Sequence, residues 1–255
     1  MSTLLRPMSL PAILSLLLLA LALPACGEAE PPTPDPAPPT TEDDHDHDHD
    51  HDHDHDHEHD DDADGNGAAQ APEHAEPGLP APAFTLTGSD GEQYSLSDFR
   101  GQWVILEWIN HDCPFVVKFY EPGKMQELQR TYTEQGAAWL SIASSGPGQQ
   151  GHESPERWNE RTAEKDAVPT AVLIDEDGTV GRRYRATNTP HMYIIDPDGE
   201  LVYMGAIDSN SSARSADIET ADNYVEMVMN AVLEGSEAPI QYTDAYGCAV
   251  HYASN

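Results

Sequence analysis

Trp108-Ile109-Asn110-His111-Asp112-Cys113-Pro114-Phe115 decides how this chain is read. Residues 103–109 are apolar apart from Glu107, the pattern of a strand buried on both faces. Pro114 suits the first turn of a helix, where its missing N–H is not needed. One cysteine therefore stands where a strand hands over to a helix. Free N–H groups and partial positive charge at a helix start favour a thiolate, which makes Cys113 the candidate nucleophile or oxidisable thiol. An inert buried thiol is the plain alternative.

Outward from this junction, the helix breaks at Pro122-Gly123 and resumes over residues 124–135, before a strand at 137–143. Ser154-Pro155-Glu156 opens another helix, with Ser at the N-cap and Pro at the first position. Residues 170–174 and 192–195 are short apolar strands. Each is followed by an Asp- and Gly-rich turn, Asp175-Glu176-Asp177-Gly178 and Asp196-Pro197-Asp198-Gly199. Residues 201–204 form a last strand. Residues 219–233 form a last helix, with Tyr224, Val225, Val228 and Val232 apolar. On the other side, Pro80-Ala81-Pro82-Ala83-Phe84-Thr85-Leu86 is extended, and Asp90-Gly91 turns the chain into Gln93-Tyr94-Ser95-Leu96. The order β, β, α, β, α, β, β, β, α predicts an α/β domain over residues 79–255, a mixed central sheet with helices on both faces.

The preceding residues cannot close a core. Arg6 and the apolar residues 10–23 read as an export signal over residues 1–25. Leu23-Pro24-Ala25-Cys26-Gly27 resembles the lipobox of bacterial lipoproteins, which implies lipidation at Cys26 and a lipid anchor on the periplasmic side of the cell envelope. Gly27 fits release to the outer membrane. An uncleaved anchor over residues 8–25 is the alternative. Residues 26–78 read as a disordered tether, first rich in Pro and then in His and Asp. His45, His47, His49, His51, His53, His55, His57 and His59 alternate with acids. Such a tract offers ligands to zinc, nickel or copper in exchanging geometries, or serves only as a charged spacer. The formal charge is −34, with nineteen acids and one Arg in residues 1–78, so both parts are acidic and nucleic-acid binding is excluded as a class.

Four stretches, taken together, resemble the peroxiredoxin-like branch of the redoxin and alkyl hydroperoxide reductase/thiol-specific antioxidant group, within the thioredoxin-like superfamily. They are Asp112-Cys113-Pro114-Phe115-Val116, Glu121-Pro122-Gly123-Lys124-Met125-Gln126, Thr189-Pro190-His191-Met192-Tyr193-Ile194-Ile195-Asp196 and Tyr246-Gly247-Cys248-Ala249-Val250. The resemblance covers residues 79–252. It implies a thioredoxin-like fold, a reactive Cys113 and a cis Pro190 facing it, with the backbone at Thr189 free to pair with an extended thiol-bearing substrate. The departures bear on chemistry. Val116 stands where a disulfide reductase carries its second cysteine, Asn110 where a peroxiredoxin carries Thr or Ser, and no arginine aligns with the activating one.

With Cys26 assigned to lipid, Cys113 and Cys248 are the remaining thiols. Cys248, in a glycine-adjacent tail able to move, is expected either to resolve an oxidised Cys113 or to form a structural staple. His111 would help to ionise Cys113 or lie on the surface. His152 and His191 read as ordinary loop residues, and Trp108 as packing beside the site. The expectation is an envelope-facing thiol oxidoreductase, acting by thiol–disulfide exchange or thiol-dependent peroxide reduction with an unknown thiol electron donor and no required cofactor. The rival reading is a metal-binding or metal-delivery lipoprotein built on the His/Asp tract.

Overall fold

Five consecutive residues with no appreciable exposure, Val104–Trp108, form the strand on which the domain is built. The computed structural model describes residues 72–254. Its strands are β1 (Thr85–Gly88), β2 (Gln93–Ser95), β3 (Val104–Trp108), β4 (Ala138–Ala143), β5 (Ala171–Ile174), β6 (Asn188–Thr189), β7 (His191–Ile195), β8 (Leu201–Gly205) and β9 (Cys248–Ala249). Its helices are α1 (Pro114–Tyr120), α2 (Lys124–Glu134), α3 (Pro155–Glu164), α4 (Thr179–Arg183) and α5 (Tyr224–Leu233). Cys26 and the His45–His59 tract lie outside the described residues.

Seven strands make one mixed sheet in the order β2-β1-β5-β4-β3-β7-β8. β3 runs parallel to β4, with Val104 opposite Ala138, and antiparallel to β7, with Trp108 opposite His191. The two-residue period of a strand sends its side chains to alternate faces. Ile105 joins one core with Val116 and Phe119 of α1, Leu128 of α2, Trp158 of α3 and Val225 and Val228 of α5. Val104, Leu106 and Trp108 join the other, with Phe84, Val180 and Tyr184. This is the thioredoxin-like α/β arrangement, with helices on both faces.

The local signals act as expected at several element ends. Gly123, at φ +85°, caps α2 and separates it from α1. Ser154 accepts from the Arg157 N–H and caps α3. Other boundaries differ. The last helix starts at Tyr224, where the Asn223 side chain accepts from the Glu226 N–H, and Glu219 belongs to a preceding 3-10 turn. The packed domain also begins before residue 79. Ala75 is buried and donates to the Arg183 carbonyl at 2.9 Å, and Gly78 donates to Leu201 at 2.8 Å.

Glu107 interrupts the apolar run, and the interruption is filled with hydrogen bonds. Its carboxylate accepts from the Tyr120 hydroxyl at 3.0 Å, the Trp139 indole N–H at 2.8 Å and the Ser141 hydroxyl at 3.1 Å. Burial nonetheless raises its pKa above 4.5, because desolvation outweighs these donors. A carboxyl raised on folding contributes stability that is complete below about pH 4.5 and is lost as pH rises through the folded value. Urea unfolding of wild type and Glu107→Gln at about pH 4 and about pH 8 checks this. Wild type should lose stability relative to the variant between the two pH values.

Candidate active site

Cys113 is the N-cap of α1, held where β3 ends. Its N–H donates to the Asn110 carbonyl at 3.0 Å, while the Asn110 side-chain oxygen accepts from the Asp112 N–H at 2.9 Å. Asn110 thus closes the turn that delivers the cysteine. Pro114 is the first helical residue, and the Cys113 carbonyl accepts from Val116 and Val117, each at 2.9 Å. The sulfur has no exposed surface. Its thiol donates to the Thr189 carbonyl at 3.0 Å and its Sγ accepts from the Cys248 N–H at 3.4 Å. The Thr189–Pro190 bond is cis, and Pro190, which follows this carbonyl, carries no N–H.

The C-terminal tail does not hang free. β9 pairs antiparallel with β6, placing Cys248 opposite Thr189 and Ala249 opposite Asn188. Asn188 Nδ2 donates to the Gly247 carbonyl at 3.0 Å, and the Val250 N–H donates to Thr187 at 3.0 Å. Further along, the Tyr252 hydroxyl donates to the Ala186 carbonyl at 2.6 Å, and Arg182 donates to Ala253 at 2.7 Å. The mobile tail expected from the glycine next to Cys248 is instead a docked strap. Gly247, at φ +134°, serves close approach, since a Cβ there would stand 2.1 Å from the Thr189 oxygen.

Cys113 and Cys248 are both free thiols. Cys248 is half-buried, and its pKa is pushed up to about 12, first by burial and then by the neighbouring Cys113 sulfur. Phe115, two residues past Cys113, packs its ring 5.7 Å from that of Tyr246.

His111 is neither a surface residue nor a cationic partner for the thiol. It is buried between the rings of Tyr120 and Trp158, at 5.1 and 5.2 Å. Burial, with Arg161 and Lys165 nearby, lowers its pKa to about 3, so the imidazole stays neutral. The adjacent Asp112 pairs with Arg161 at 2.6 Å. His191 is not a loop residue: it opens β7, is buried, and is held neutral at a pKa of about 3 by desolvation. His152 meets Glu176 at 2.9 Å on the surface. Trp108 packs on Tyr184 and Tyr193 and donates to Ser144 at 3.0 Å. Val116, three residues after Cys113, is fully buried in the core. Among the described residues no cluster of three or more His, Cys, Asp or Glu is arranged to hold a metal.

The Gly247 contact generates a direct test. Gly247→Ala should force the strap off β6 and expose Cys113. Opening eased by about 1.4 kcal/mol corresponds to about tenfold faster alkylation of Cys113 by iodoacetamide, read by mass spectrometry.

Residues 77–204 match the AhpC/TSA family. A thiol-disulfide oxidoreductase ResA from Geobacillus kaustophilus is 29% identical over 124 residues, 49% of this chain and 66% of that relative. The ResA of Bacillus cereus is 25% identical over 130 residues, 51% of this chain and 69% of its own length. Among solved structures, an uncharacterised conserved protein from Geobacillus kaustophilus superposes with a TM-score of 0.60 at 26% identity, covering 73% of this chain and 95% of that one. A hypothetical protein from Sinorhizobium meliloti superposes at 0.59 with 24% identity, covering 71% and 97%, a likeness of fold. With half its length matched, and with a thioredoxin-like sheet whose strand β3 leads through a short turn to Cys113, the chain belongs to the AhpC/TSA family.

Proposed function

We propose that the chain is an envelope-facing thiol oxidoreductase in which Cys113 is the thiol that is oxidised and Cys248 resolves it. The observation that carries this reading is Cys248 docked opposite Thr189, its N–H 3.4 Å from the Cys113 sulfur, with both thiols unbonded. Membership of the AhpC/TSA family and likeness to ResA proteins support thiol chemistry. The export signal and the lipobox at Cys26 support anchoring by lipid on the periplasmic side, at the outer membrane.

In the peroxide branch, the Cys113 thiolate attacks the terminal oxygen of a hydroperoxide. The O–O bond breaks, sulfur gives up two electrons, the alcohol leaves with a proton, and Cys113 becomes a sulfenic acid. Cys248 attacks that sulfur, the S–S bond forms, and hydroxide leaves as water with the Cys248 proton. Two external thiols reduce the disulfide by exchange and become a disulfide themselves. In the exchange branch, Cys113 attacks a substrate disulfide and releases one thiol. Cys248 then attacks the Cys113 sulfur of the mixed disulfide and releases the second.

The environment of Cys248 bears on its part in these steps. Burial and the Cys113 sulfur keep its thiol protonated at neutral pH. Oxidation of Cys113 removes the second of these causes and leaves the first and larger, burial, in place. The cis Pro190 withholds a competing N–H, and Thr189 supplies the carbonyl on which the Cys113 thiol rests.

Stoichiometric hydrogen peroxide should convert wild type to an intramolecular Cys113–Cys248 disulfide. Cys248→Ser should accumulate sulfenic and then sulfinic acid at Cys113. Overoxidation of wild type as readily as the variant, seen by mass spectrometry, would remove the resolving role. For the His45–His59 tract we propose weak binding of zinc, nickel or copper. Calorimetry at about pH 7 should detect it, and acidification towards about pH 5 should abolish it as the imidazoles protonate.

A further inference from the structure

Lys118 is a lysine with no exposed side chain, inside a helix whose other residues from Val116 to Tyr120 are apolar. Its ammonium spends all three donors: on Asp208 Oδ2 at 2.7 Å, on the Asn210 carbonyl at 2.8 Å and on the Tyr246 hydroxyl at 3.2 Å. The Tyr246 hydroxyl in turn donates to Asp208 Oδ1. The ammonium also lies 4.7 Å from the Phe119 ring centre and 5.4 Å from that of Tyr246. Three parts of the chain meet here: α1, which begins at Cys113; the loop after β8; and the strap, two residues before Cys248.

A buried ion pair adds little net stability over an apolar replacement of the same shape, but it fixes geometry, because each charge is costly without its partner. The geometry fixed here is that of the strap over Cys113. We infer that Lys118, Asp208 and Tyr246 are positioning residues for the thiol couple. They hold the strap in register, keep bulky reagents off Cys113 and set how quickly Cys248 reaches an oxidised Cys113. The last of these effects rests on the thiol-couple reading above. The first two do not.

Tyr246→Phe keeps the ring against Phe115 and removes both hydroxyl contacts. In the full chain, two rates are compared with wild type. One is labelling of reduced Cys113 by a bulky maleimide, relative to iodoacetamide. The other is disulfide formation after one equivalent of hydrogen peroxide. The expected result is labelling faster by about tenfold, biased towards the bulky reagent, with slower disulfide formation and more sulfinic acid at Cys113. Glu107→Gln, which perturbs the core away from the strap, should leave the labelling ratio at its wild-type value. Unchanged rates in Tyr246→Phe, or an equal change in Glu107→Gln, overturn the inference. If Tyr246→Phe does not fold, Lys118→Met combined with Asp208→Leu replaces the charges with apolar bulk and should give the same loosening. Failure of wild type to form the disulfide overturns the couple reading alone, while the labelling comparison still decides whether the cluster holds the strap.

Discussion

The carbonyl of Thr189 accepts the Cys113 thiol, and the same residue stands opposite Cys248 in the β6–β9 pair, so both sulfurs take their places from one short piece of backbone. That arrangement requires Cys113 to arrive at a fixed height, which β3 provides by being buried on both faces, and a strap that can lie almost in contact with β6, which Gly247 provides. If either is displaced, the sulfurs no longer meet.

Charge inside the domain is used sparingly and always with partners. Glu107 gathers Tyr120, Trp139 and Ser141 on the α1 side of β3. On the opposite face Asp175 accepts from the N–H groups of Val180 and Gly181 at 3.1 and 2.8 Å, capping α4, and from Ser144 at 2.5 Å. Trp108 reaches the same Ser144. Lys118 and Asp208 join α1 to the strap. Each group sits where an element must keep one position relative to β3, and each would be expensive to bury without its partners.

The strand, the cysteine and the helix after it were legible because a long apolar run and a proline at the first helical position are strong local signals. The cis Thr189–Pro190 followed from the family resemblance rather than from the residues alone. The strap was not legible. β9 is two residues long and has no period to detect, and a glycine beside a cysteine reads as freedom unless the carbonyl it approaches is known. α4 escaped for a similar reason: Thr179–Arg183 is a single short turn behind an Asp- and Gly-rich sequence. Of the two readings of His111, the surface one fails because the residue packs against Trp158, forty-seven residues later in the chain. Lys118 carried a visible signal, a charge flanked by Val116, Val117, Phe119 and Tyr120, but its partners lie about 90 and 128 residues away.

A sulfur with no exposed surface also alters the kinetic order of its own chemistry. In the proposed cycle an oxidant would reach the buried Cys113 only after an opening of the strap. At low oxidant concentration the closed and open forms stay in equilibrium, and the rate grows in proportion to the oxidant. At high concentration every opening is captured, and the rate levels off at the opening frequency of the strap. In that cycle the fold would place a ceiling on turnover, set by a motion of its last described residues rather than by the reactivity of the thiol.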